Sequence, residues 1–217
     1  MSEIIRIAID GPSGAGKSTI AKTVAKEMNI DYIDTGAMYR AVGYKVKTQG
    51  IDMNDEAAMK EMLDSTDIDF VNGDIILDGV IVNKEIRAND MSMMASNVSA
   101  LPAVREKLVE LQRKMGQTKS IIMDGRDIGT NVLTDAEYKI FMTASAEERA
   151  DRRYKELIEK GQDVTYDQIL EDIKQRDHND STRKLNPLRM ADDATELDTT
   201  GMSIDEVTDY ILRMVAK

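Results

Sequence analysis

Gly11-Pro12-Ser13-Gly14-Ala15-Gly16-Lys17-Ser18 fits the pattern G-x-x-x-x-G-K-[ST] and stands directly behind an apolar run. That run, Ile4, Ile5, Ile7, Ala8 and Ile9, is short, β-branched and nearly unbroken, as expected of a parallel strand buried on both faces. After Ser18 the period changes, and Ile20, Ala21, Val24, Ala25 and Met28 fall on one helical face. Strand, glycine-rich turn and helix bring several backbone N–H groups and the positive helix end to one point, which suits a polyphosphate. Lys17 is placed to reach the outer phosphates and the Ser18 hydroxyl to ligate the magnesium that travels with them. A plain glycine turn is the competing reading, and the flanking strand and helix weigh against it.

The 217 residues suffice for one well-cored domain with a small insertion. With 41% hydrophobic and 32% charged residues the composition is that of a folded globular chain. No apolar run approaches the roughly 18 residues that span a bilayer, and Glu3 is out of place in a signal peptide, so a cytoplasmic protein is expected. The absence of cysteine excludes disulfides, thiolate catalysis and cysteine-held zinc, and the single histidine, His178, excludes a multi-histidine metal site. A formal net charge of −11 argues against a nucleic-acid partner, so an anionic ligand needs a local arginine cluster.

Further along, Asp31 to Gly36 reads as a short strand ending in a turn, Ala37 to Arg40 leads a second helix closed by Gly50, and Glu56 to Asp64 forms a shorter one. Ile68 to Val71, Ile75 to Leu77 and Val80 to Val82, separated by Asn72-Gly73 and Asp78-Gly79, predict an antiparallel meander inserted into the strand–helix alternation. A helix then runs through Val104, Leu108, Leu111 and Met115 to Gly116. Ile121 to Asp124 is the next buried strand, and Asp124 at its carboxyl end is the candidate that orients magnesium. Lys139 to Met142 gives another strand. Ser145 with Glu148 predicts a capping box on a helix where Arg149, Arg152 and Arg153 share a face. Thr165 and Gln168 cap a further helix, on which Arg176, Asp180 and Arg183 are spaced to share a face. From spacing alone, functional and surface roles stay equally open for these arginines. Glu196 to Asp198 is a last short strand, and Ser203 with Glu206 caps a closing amphipathic helix. No exposed stripe argues for self-association, so a monomer is expected.

A phosphate loop serves switches, motors and kinases alike. A guanine-specific switch would carry Asn-Lys-x-Asp, and the nearest string, Asn83-Lys84-Glu85-Ile86, lacks the aspartate. A phosphotransferase acting on a phosphorylated acceptor explains more. An acceptor monophosphate, with a second pKa of about 6, is largely dianionic at neutral pH and attacks without a general base. Positioning and charge neutralisation then suffice, and arginines, Lys17 and magnesium supply them.

These features, with DTGAMYR at 34–40, the segment at Ser96-Asn97-Val98, PAVRE from Pro102, DGRDIGT at 124–130, ERADRR from Glu148 and RDHNDSTR at 176–183, resemble the bacterial cytidylate kinases, P-loop nucleoside monophosphate kinases, nearly end to end. The resemblance implies a three-layer α/β fold: a five-stranded parallel sheet between helices, an antiparallel insertion (about 66–95) on the monophosphate-binding side, and a short helical lid with the arginine-bearing helix that follows it (about 148–183), all in one domain spanning 1–217. It assigns ATP to Gly11, Pro12, Ser13, Gly14, Ala15, Gly16, Lys17, Ser18 and Thr19, and magnesium to Ser18 and Asp124. Some members carry glycine where this chain has Ser18, so that hydroxyl is not indispensable. Thr35, Arg40 and Arg126 would surround the acceptor phosphate, Arg176 and Asp180 the ribose, and Ser96, Arg105, Asp127 and Arg183 the cytosine. Arg149, Arg152 and Arg153 would belong to the lid over ATP, with Arg152 making the contact; Lys17, Arg126 and Arg152 are the implied catalytic cations. The implied reaction is ATP plus CMP or dCMP to ADP plus CDP or dCDP. A kinase for UMP or AMP, or an ATP-dependent switch without kinase activity, are the alternatives.

Overall fold

The computed structural model describes residues 4–71, 73–88 and 90–216; Glu3 and Asn72, used above, lie outside them. In chain order the elements are β1 (Arg6–Asp10), α1 (Lys17–Met28), β2 (Asp31–Asp34), α2 (Thr35–Gln49), α3 (Glu56–Asp64), β3 (Ile68–Val71), β4 (Asp74–Leu77), β5 (Val80–Ile81), α4 (Met91–Ser99), α5 (Pro102–Met115), β6 (Ile121–Gly125), β7 (Tyr138–Thr143), α6 (Ala146–Glu159), α7 (Tyr166–Thr182), β8 (Thr195–Asp198) and α8 (Ile204–Val215). Five strands form a parallel sheet of order β2-β6-β1-β7-β8, flanked by helices, and β3-β4-β5 form the antiparallel meander. This is the fold class the sequence predicts. No helix among the described residues is long and apolar enough to cross a membrane.

The chain divides into two compact units, residues 1–32 with 119–217, and residues 33–118. The first holds most of the sheet. Ile7 and Ile9 of β1, Ile122 of β6, Ile140 and Met142 of β7 and Leu197 of β8 pack against Ile20 and Val24 of α1 and Val207 and Ile211 of α8. Burying a side chain of that size stabilises by about 1.5 to 3 kcal/mol, so this layer fixes the strand ends from which the loops depart. The helix pair α6 and α7 has its own small core of Ala150, Leu157, Ile169 and Ile173. In the second unit, buried Lys45 of α2 pairs with Asp78 at the β4–β5 turn at 2.6 Å and donates to Ser65 O at 3.2 Å, tying the meander to the helix.

Local signals set most boundaries. Asp34 accepts from Ala37 N and starts α2 directly at Thr35, so the predicted turn after β2 is instead a helix N-cap. Gly50 ends α2 in the left-handed region. Pro102 opens α5 and separates it from α4. The capping boxes at Thr165/Gln168 and Ser203/Glu206 form as expected. That at Ser145 forms only its hydroxyl half, because the Glu148 carboxylate turns to Arg152 Nε at 3.2 Å. Helix α7 ends at Thr182 with Arg183 as its C-cap, whose φ of −59° and N–H bond to Asn179 O at 3.1 Å are still helical, so the chain leaves the axis only after it.

Candidate active site

The loop between β1 and α1 is held against β7. A Cβ on Gly11 would lie 1.9 Å from Met142 O, so the backbone approach requires glycine there. Helix α1 begins after Gly16, which is in the left-handed region and offers no side-chain cap, leaving the first-turn amides for an anion. Lys17 is buried and donates to Pro12 O at 2.7 Å. Burial, and after it the Arg126 guanidinium, push the Lys17 ammonium down to about 7. Ser13 is partly buried beside buried Pro12 and Ala15, and Thr19 lies exposed one residue beyond Ser18.

Ser18 Oγ donates to Asp124 Oδ2 at 2.8 Å, and Tyr32 Oη donates to Asp124 Oδ1 at 2.9 Å. The two expected cation ligands therefore stand side by side, and both offer hard oxygen donors of the kind magnesium takes. Among the described residues, no group of three or more His, Cys, Asp or Glu side chains is spaced to hold a metal ion. A cation here fits one carboxylate and one hydroxyl supplemented by substrate phosphates, the usual magnesium arrangement.

Beyond β6 the chain turns through a wide helical turn at Ile128–Val132. Asp10, at the end of β1, accepts from Ile128 N at 2.8 Å and Gly129 N at 2.7 Å and so fixes that turn. Burial pushes the Asp10 carboxyl up to about 6 despite those two bonds. The turn presents Arg126 and Asp127 to the end of α7. Arg126 Nε donates to Asp180 Oδ2 at 2.7 Å, and Arg183 Nη2 donates to Asp127 Oδ1 at 3.1 Å. Arg183 Nε also donates to Asn186 O at 2.7 Å, and Asn131 Nδ2 reaches Asp127 Oδ2 at 3.1 Å. Burial works to raise the Asp180 pKa, but Arg126, Arg176 and Arg183 outweigh it and hold the carboxyl below its ordinary range. Arg126, opposed by burial and supported by Asp180, stays firmly protonated. Arg126, Asp127, Arg176, Asp180 and Arg183 thus form one cluster.

The three α6 arginines part company. Arg149 is buried and engaged by Ser13, Ala144 and Asp177. Arg152 donates to Glu148 and to Thr199 O at 2.9 Å, with its Nη1 4.0 Å from where a Cβ on Gly16 would stand. Arg153 reaches only along its own helix to Glu156 at 2.8 Å. The three share a helix but not their partners: Arg149 and Arg152 both border the phosphate loop, and of these two Arg152 keeps a partly exposed guanidinium.

In the second unit Thr35 is buried in the first turn of α2, and Arg40, one turn later, donates to Asp34 Oδ2 at 3.1 Å. Arg40 Nε is buried without a hydrogen-bond acceptor from the described residues. Arg105 of α5 is buried with its guanidinium 5.8 Å from the Tyr39 ring centroid, a cation–π contact. Ser96 is partly buried on α4, where its carbonyl accepts from Ser99 Oγ at 2.8 Å. Sequence reasoning gave no role to Asp10, Tyr32, Tyr39, Asn131 or Asp177. Asp10 closes the first strand and Asp177 is the second residue of the 176–183 motif, and those positions were the signals available.

A glycine loop with a buried lysine between a parallel strand and a helix, beside a cluster of acid–arginine pairs, defines a P-loop phosphotransferase. The family model described as Cytidylate kinase matches residues 7–217, and the chain belongs to that family. A cytidylate kinase of Clostridioides difficile is 52% identical over 209 residues, covering 96% of this chain and 97% of its own length. One of Caldicellulosiruptor saccharolyticus is 54% identical over 217 residues, covering 98% and 96%. The crystal structure of a shikimate kinase from Bacteroides thetaiotaomicron superposes with a TM-score of 0.50 at 13% identity, covering 99% of this chain and 100% of that one, a likeness of fold. Membership in a kinase family implies ATP with a divalent metal.

Proposed function

We propose that this chain transfers the γ-phosphoryl group of ATP to CMP or dCMP, giving ADP and CDP or dCDP, with magnesium as the cation. The observation that carries it is the Arg126–Asp180 and Asp127–Arg183 pairs. They bring acceptor-type groups, dispersed over more than fifty positions of sequence, to one turn beside Lys17. An acceptor phosphate oxygen attacks the γ-phosphorus, the bond from that phosphorus to the bridging oxygen breaks, and ADP leaves. No general base is needed, because the acceptor phosphate arrives ionised.

Each residue then has work to do. The loop amides from Gly11 to Thr19 hold the ATP phosphates, and Lys17 neutralises charge on the transferred group. Ser18 and Asp124 would hold magnesium, which when bound would supply positive charge against the ATP phosphates. Thr35, Arg40 and Arg126 take the acceptor phosphate, and the unsatisfied Arg40 Nε is suited to an anion. Arg176 and Asp180 take the ribose. Ser96, Arg105, Asp127 and Arg183 read cytosine, whose N4 amino donor and O2 and N3 acceptors separate it from uracil. Arg152 closes on ATP from a short helical lid that carries Arg149, Arg152 and Arg153. The chain acts as a cytoplasmic monomer without a nucleic-acid partner.

The test is a coupled ADP-release assay over CMP, UMP, AMP and GMP with ATP and magnesium. CMP should support the highest kcat/KM. Preferred turnover of UMP or AMP would move the assignment to another acceptor, and ATP binding without acceptor-dependent ADP release would replace the kinase with a switch.

A further inference from the structure

Arg149 has a single N–H group left uncommitted with which to meet ATP. Its side chain is only 5% exposed, and four of its five N–H groups are engaged. Nε donates to Ala144 O at 2.9 Å, Nη1 to Ser13 O at 3.0 Å and to Asp177 Oδ1 at 3.0 Å, and Nη2 to Asp177 Oδ2 at 2.6 Å. One planar fork therefore joins three segments: the phosphate loop, the end of β7 and helix α7. The loop lies close against it, since a Cβ on Gly14 would stand 3.2 Å from Arg149 Cβ.

The contact to Ser13 O acts on the loop's donors. The peptide joining Ser13 to Gly14 is planar and trans, so a carbonyl held toward Arg149 turns the Gly14 N–H the opposite way. Asp177 holds the guanidinium by two bonds and so fixes where that carbonyl is drawn. We propose that Arg149, oriented by Asp177, positions the phosphate loop for ATP. This rests on the ATP-dependent phosphotransferase reading and gives a role to Asp177, the acidic residue of the 176–183 motif to which no substrate contact is assigned. Arg149 and Asp177 are positioning residues, acting through the loop amides.

Asp177→Asn keeps the side-chain shape but loses the charged two-point grip. Arg149→Lys keeps the charge, but a single ammonium cannot span Ser13 O, Ala144 O and both Asp177 oxygens. In the full-length enzyme, each variant should raise KM for ATP by about tenfold and lower kcat, while KM for CMP stays within about twofold of wild type. A lower Tm with kcat and both KM values unchanged, or equal rises in both KM values, would overturn the proposal. Calorimetric titration with ATP and magnesium separates this inference from the kinase reading. If wild type released no ADP with CMP, the kinase reading would fail. Weakening of ATP binding by about tenfold in Asp177→Asn would still support the positioning role, and unchanged binding would overturn it.

Discussion

Asp10→Asn should reveal a stability term whose sign is opposite to ordinary acid denaturation. The Asp10 carboxyl is buried at the end of β1, accepts from Ile128 N and Gly129 N, and has its pKa raised from an ordinary 3.8 to about 6. Burial is the main cause, and the nearby Asp127 charge adds to it. The folded state therefore binds more protons than the unfolded chain between those two values, and this group's contribution to stability is lost as pH rises through the window. A gap of that size corresponds to about 3 kcal/mol at full development, of which about 1 kcal/mol appears between about pH 5 and pH 7.5. The carboxamide does not titrate. It accepts one of the two N–H groups and sets its own NH2 against the other, a pH-independent cost of about 1 to 3 kcal/mol. The stability advantage of wild type over the variant should therefore shrink by about 1 kcal/mol from pH 5 to pH 7.5. Urea unfolding at constant ionic strength, followed by far-UV circular dichroism, measures it. An advantage that stays constant or grows with pH would refute a buried Asp10 with a raised pKa.

Lys17→Met should abolish turnover, by about a thousandfold or more, yet leave thermal stability unchanged or raised, because it removes an ammonium whose burial is already costly; steady-state assay and calorimetry on one preparation check both. Arg183→Ala should cost CMP recognition about 1.5 to 3 kcal/mol and narrow the preference for CMP over UMP, which comparison of kcat/KM for the two acceptors reads. In the second unit, Asp78→Asn should destabilise by about 2 kcal/mol and Lys45→Met by less, because only the first strands a buried ammonium. Melting curves of the two variants give the order.

What could be read in advance was local. The apolar run before Gly11, the period change after Ser18 and the Asp78-Gly79 turn each lie within a few residues of the structure they specify, and α3 spans Glu56–Asp64 as expected. The fate of the arginines was not local. Helical spacing says that Arg149, Arg152 and Arg153 leave the axis in related directions, but their acceptors decide their use. For Arg149 these are Ser13, 136 positions away, and Asp177, 28 away. Arg183 shows the same limit: spacing places it near Asp180, but its bond to Asp127, 56 positions away, could not be read from its own helix. Asp10 was invisible because a carboxylate after a buried strand reads equally as a solvated turn until its two backbone donors are known.

Electrostatics reconciles a net charge of −11 with binding two phosphorylated substrates. At about 0.15 M salt the screening length is about 8 Å, so distant carboxylates count little and the groups lining the site decide. Within the first unit Arg126 is held by Asp180 and Arg183 by Asp127, and within the second Arg40 is held by Asp34, so these cations are kept ordered by acids. Lys17, crowded by burial and by Arg126, is the cation least comfortable with its charge. A polyphosphate beside Lys17 reverses that penalty, since it supplies the counter-charge that the neighbouring guanidinium denies. The same acids that keep the arginines ordered also weaken them as anion binders. Affinity should therefore come from ligands that use geometry, with backbone amides and paired donors engaged together, in preference to any diffuse anion. An acidic surface adds a repulsion that such a site overcomes for a nucleotide by engaging its phosphates at close range.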